Sequence, residues 1–106
     1  MQPTTEFSII TGESSQMIKI IPEHRPHVEK FDLIDQEMYD KKIEALQNAR
    51  ANMICEINRV YYNASMYSEV KDIDPMIVET SVDFIKIDDV HCKAVCTMIV
   101  KIQIVR

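Results

Sequence analysis

From Asp35 to Tyr62 the chain contains neither glycine nor proline, and apolar side chains recur at three- and four-residue spacing: Tyr39, Ile43, Leu46, Met53, Ile57 and Val60. That recurrence marks one face of an α-helix. A helix of this extent is about 42 Å long at 1.5 Å per residue. A compact domain of about 100 residues has a radius of gyration near 13 Å. The helix is therefore longer than the globule that 106 residues would make. It must bend, protrude or lie against a second copy. Where the series calls for another apolar residue it has Arg50 instead. Either the Arg50 stem packs while its head reaches water, or the guanidinium meets an acid across a subunit boundary.

The rest of the chain reads as β-structure on either side of this helix. Thr5–Thr11 and Gln16–Ile21 are rich in β-branched residues and flank Gly12-Glu13-Ser14-Ser15, which predicts an N-terminal hairpin over residues 1–21. Gly12, the sole glycine of the chain, is expected in the turn, where a positive φ costs it least. Residues 22–34, with Pro22 and Pro26, read as a connector, and Asp32 or Asp35 is suited to cap a helix over 35–65. Residues 76–106 read as a second hairpin centred near Val90. That centre sets Glu79 opposite Lys101, and Val78, Val82 and Phe84 opposite Ile102, Met98 and Cys96. Met98, Val100, Ile102 and Ile104 then share an apolar face, with Lys101 and Gln103 directed away. The expected fold is a single α+β domain in the order β-β-α-β-β, two antiparallel hairpins packed on one long central helix.

Several chemistries are disfavoured by residue type and spacing. A phosphate-cradling loop, a dinucleotide fingerprint and a nucleophile elbow all need glycines that a chain with one glycine does not have. His24, His27, His91 and Cys92 are the residues from which a metal site could be assembled, by convergence of two loops. Two histidines three residues apart on an extended segment stand about 9 Å apart along its axis, too far to share one ion without folding back. Cys92 and Cys96 on one strand share a face but stand about 13 Å apart. The expectation is no metal and no cofactor. Three cysteines and a polar, signal-free N-terminus point to reduced thiols and a cytoplasmic location. No apolar run is long enough to span a bilayer as a helix.

The net charge of −5, with its basic residues scattered, argues against nucleic acid as a partner and leaves room for a protein with a basic surface. A second helix stripe that includes Ile54 and Tyr61 makes the apolar surface wider than one sheet contact needs. The leading expectation is a non-enzymatic protein-interaction module that self-associates as a dimer, acting as an inhibitor, adaptor or structural subunit. Arg50, Met53, Ile54, Ile57 and Tyr61 are its candidate contact residues. The alternatives are a nucleic-acid-associated protein using its sheet face and, more remotely, a small metal-dependent enzyme.

Overall fold

The computed structural model describes residues 4–18, 30–88 and 91–106. Its elements are β1 (Thr4–Glu13), β2 (Met17–Ile18), α1 (Lys30–Ser65), β3 (Asp72–Lys86) and β4 (His91–Val105). The class is α+β: one helix on an antiparallel sheet. The helix has 36 residues, about 54 Å. β3 and β4 have 15 residues each, about 50 Å at the strand rise. The length problem posed by the helix is thus answered by a ribbon of equal length. The molecule measures 65 × 21 × 14 Å with a radius of gyration of 19.0 Å.

β4 is the central strand. β1 pairs with it antiparallel from Thr4↔Ile104 to Glu13↔Val95. β2 continues on the same side of β4, as Met17↔Cys92 and Ile18↔His91. The expected N-terminal hairpin does not form among the described residues: β1 and β2 lie end to end along β4, and the sheet described is three strands wide rather than four; residues 19–21 of the expected second strand lie outside the described residues. The physical reason sits at Ser14, which is buried. Its N–H donates to the Ala94 carbonyl at 2.9 Å, and its Oγ accepts from the Ala94 N–H at 2.9 Å. A hydroxyl thus stands in for a backbone carbonyl, and the chain jogs by one residue without turning back.

Gly12 is not a turn residue either. It lies inside β1 with no positive φ. A Cβ built on it would meet the Ala49 backbone nitrogen at 2.1 Å and the Ala45 carbonyl oxygen at 2.6 Å. The glycine exists so that the helix backbone can approach the strand. Ala45 and Ala49, both fully buried, complete that close contact from the helix side.

The second hairpin forms with a different register. Glu79 faces Ile99, Val82 faces Cys96 and Phe84 faces Ala94. These pairings are slipped by two residues from the expected ones, so the inward faces survive. The slip originates in the turn. Ile87 and Asp88 N–H groups both donate to the His91 carbonyl, at 3.0 and 3.3 Å. The Asp88 carboxylate in return accepts from the His91 backbone N–H at 2.7 Å and lies 2.8 Å from its ring Nδ1. This closes the hairpin one position earlier than Val90. A bulge between Ile77 and Glu79 leaves Val78 unpaired with β4, and β3 continues through Asp74-Pro75 back to Asp72.

The helix begins at Lys30, not Asp35, so residues 30–34 of the expected connector are helical and neither Asp32 nor Asp35 sits at its first residue. Nothing between Lys30 and Asp35 breaks a helix, which allows it to propagate back. The connector's residues 22–29 lie outside the described residues. At the other end the helix stops at Ser65 as expected. Arg106 Nη1 donates to the Ala64 and Ser68 carbonyls at 3.0 and 3.1 Å, placing a cation at the C-terminal end of the helix. The core comprises Ile10, Ala45, Ala49, Val60, Ala64 and Val70 with Ala94, Cys96, Met98, Val100, Ile102 and Ile104 of β4. The apolar face expected for β4 is therefore the buried one.

Candidate functional site

The helix lies over β1 and β4 and makes little contact with β3. Its alignment is set by a polar row along the outer edge of β1. The Ser15 N–H donates to Glu44 Oε1 at 2.7 Å, Asn48 Nδ2 to the Glu13 carbonyl at 2.6 Å, and Asn52 Nδ2 to the Thr11 carbonyl at 2.7 Å. Ser8 Oγ then donates to Glu56 Oε1 at 3.2 Å. The four helix residues are spaced by four, about 6 Å along the axis. Their first three partners, Ser15, Glu13 and Thr11, are alternate residues about 6.8 Å apart, and the fourth, Ser8, lies three residues further along. The near match lets one row of helix side chains serve one strand edge. Carbonyls that would otherwise be free to pair with another chain are thereby occupied.

Both carboxylates in this row have lowered pKa values. For Glu44 the cause is first the Ser15 backbone N–H, with Lys41 adding to it. For Glu56 it is first the Arg59 guanidinium, 3.1 Å away through Nε, and then Ser8. Arg59 is raised in turn by Glu56.

Of the candidate contact residues, Met53 and Ile57 turn inward and pack on the core. Arg50, Ile54 and Tyr61 are exposed. With Ile43 they occupy a sector of about 40° on a helical wheel at 100° per residue. The seam expected from sequence is therefore split: Leu46, Met53, Ile57 and Val60 face the sheet, while Tyr39 and Arg50 do not. The small residues Ala45, Ala49 and Ala64, invisible to a count of large apolar side chains, share the inner stripe. Cys55 is exposed and Cys96 buried. Burial pushes the Cys96 thiol up, and the Arg50 charge opposes that shift in part.

His24 and His27 lie outside the described residues. His91 is engaged by Asp88 at the hairpin turn, and no three His, Cys, Asp or Glu side chains converge as a metal site among the described residues. Among these residues, no helix is long and apolar enough to cross a membrane.

One surface feature lies outside the residues that the sequence reading singled out. The helix covers one face of the sheet, and the other face carries a small apolar cluster of Phe7, Ile9 and Ile99, with Met76 across Lys101. Pairing sets Phe7 beside Lys101 and Met76, and Ile9 beside Ile99 and Glu79. Phe7 is 66% exposed and Ile9 is 75% exposed. Asp74, Glu79 and Asp83 of β3 follow the same parity and form an acidic rim on this face. Compared with known protein families, characterised proteins and solved structures, the chain matches none. Alternation in β1 and β4 does contain the signal: Phe7 and Ile9 interleave with Ser8 and Ile10, and a strand apolar on both faces wants two covers.

Proposed function

We propose that this protein is a non-enzymatic interaction module that self-associates, and that the sheet face opposite the helix is the self-contact. The observation that carries the reading is the exposure of Phe7 and Ile9 beside Ile99 on a face that no layer covers among the described residues. Area supports it. Three strands about 4.8 Å apart and about 13 residues long present roughly 600 Å², which two copies would double to the lower end of a standard interface. An apolar cluster with acids along one border, here Asp74, Glu79 and Asp83 of β3, shares the core-and-border arrangement of such interfaces. The acidic row beside Lys101 speaks against phosphate on this face, so the nucleic-acid reading is the weaker one. The role that follows is that of an inhibitor, adaptor or structural subunit, acting by occupying a surface.

Sedimentation equilibrium tests this. The native chain is expected to dimerise, and Phe7→Lys with Ile9→Lys to weaken the dimer by about 30-fold, as loss of a central anchor does. Ile54→Lys with Tyr61→Lys is expected to leave it unchanged. A native monomer at every concentration overturns the reading. Dissociation by the helix pair alone moves the contact to the helix.

A further inference from the structure

The sheet has two outer edges, and the helix treats them differently. Along β1, Asn48 and Asn52 occupy the Thr11 and Glu13 carbonyls. Along β3 no such row exists among the described residues, and β3 pairs there with β4 alone. The ladder phase follows from two bonds at its ends: the Lys71 N–H to the Val105 carbonyl and the Ile87 N–H to the His91 carbonyl. Odd-numbered β4 residues therefore bond toward β3, and by antiparallel alternation the backbone groups of Thr80, Val82 and Phe84 are directed outward.

The two halves of this edge differ in their defences. From Asp72 to Val78 it is blunted by Pro75, which has no N–H, and by the bulge at Val78. From Glu79 to Lys86 the register is unbroken, with neither proline nor glycine. In that half Glu79, Ser81 and Asp83 stand on the open face. Thr80, Val82 and Phe84 stand on the helix side, where the helix barely reaches β3 and Val82 and Phe84 remain part-exposed.

We propose that the Glu79–Lys86 edge of β3 takes an added strand from a different protein, an extended segment alternating apolar with Lys or Arg residues. The outward backbone groups of Thr80, Val82 and Phe84 supply the ladder. Apolar side chains of the occupant extend the half-covered face beside Val82 and Phe84. Cationic side chains four residues apart meet Glu79 and Asp83 across the strand pair. Charge argues against a second copy of β3 as the occupant, because this strand carries Asp72, Asp74, Glu79 and Asp83 against the one cation Lys86. The proposal rests on the interaction reading above only in taking the protein to act by contact; its backbone contact is the β3 edge, while Glu79 and Asp83 also border the face assigned to the self-contact.

The test titrates the isotope-labelled full chain with a capped Val-Lys-Val-Lys-Val-Lys-Val peptide and its Glu-for-Lys counterpart, followed by amide NMR. The Lys peptide is expected to bind about tenfold more tightly than the Glu peptide. Its shifts are expected to concentrate at Thr80–Lys86, and its affinity to fall as salt rises. Val82→Pro, which removes an outward N–H, should abolish binding. Should that variant fail to fold, Glu79→Lys with Asp83→Lys keeps the backbone edge and should reverse the preference between the peptides. Equal affinity for both peptides, shifts centred on Phe7 and Ile9, or no shifts at millimolar peptide overturns the proposal. Sedimentation of the same samples separates the two readings. Dimers without edge binding sink this proposal alone, and edge binding by a strict monomer sinks self-association alone.

Discussion

At Gly12 the helix and the sheet come closest. The atoms a Cβ would strike are the Ala49 nitrogen, the Ala49 Cα at 2.5 Å and the Ala45 carbonyl oxygen. All three are helix backbone, which no rotamer change can move aside. Gly12→Ala is therefore expected to cost about 3 kcal/mol, the upper end for overpacking, read as a lower urea midpoint. Trimming the facing residue with Ala49→Gly should not restore stability, since the Ala49 side chain is not what is struck. Restoration would show that the contact is made by side chains. The two described extremes of cysteine exposure give a second check on the same packing. Cys55 should react with a thiol reagent in the folded protein, while Cys96, buried and with its thiol pushed up, should react only on unfolding. Reaction of Cys96 at the rate of Cys55 would show that the helix does not stay seated on the sheet. The glycine was visible in the sequence and its role was not. A lone glycine beside Glu-Ser-Ser reads as a turn until the helix that approaches it is in place.

Among the elements, the helix and β4 were the most legible and the N-terminal block the least. Periodicity without breakers identifies a long helix wherever its apolar stripe is wide, and Met98, Val100, Ile102 and Ile104 alternate without interruption. Whether Thr5–Thr11 and Gln16–Ile21 pair with one another or line up on a third strand is a non-local choice. Ser14 decides it through Ala94, 80 residues away. The row Glu44, Asn48, Asn52 and Glu56 was equally hidden, because polar residues spaced by four read as a solvated face. That row implies a pH dependence whose sign follows from the shifts. Glu44 and Glu56 have folded pKa values below the ordinary glutamate value of 4.5. Their contribution is full above that value and is lost as pH falls through the lowered ones. Stability measured by urea unfolding should therefore decline on the acid side of 4.5. Glu44→Gln with Glu56→Gln should flatten that decline modestly, since both groups are near solvent. An unchanged slope in the double variant would remove the row from the account of how the helix is aligned.

For the whole molecule, length decides which assemblies are plausible. A helix of 36 residues on a ribbon of matching strands gives a radius of gyration of 19.0 Å, against about 13 Å for a compact chain of this size. Such a shape has a large surface for its core, and its faces, edges and ends are far enough apart to give different dimers. Pairing through Phe7 and Ile9 stacks two sheets about 10 Å apart, with the helices outside. The long dimension then stays near 65 Å while the thickness of 14 Å more than doubles. Pairing edge to edge through β3 instead widens the ribbon, and contact at the helix ends nearly doubles its length. Small-angle scattering distinguishes these outcomes. The dimer is expected to show an unchanged maximum dimension, a small rise in radius of gyration and a doubled cross-section. Phe7→Lys with Ile9→Lys should return the profile to that of the thin monomer. A dimer whose maximum dimension grows toward twice that of the monomer would place the contact at the ends, and the sheet face opposite the helix would then need another explanation.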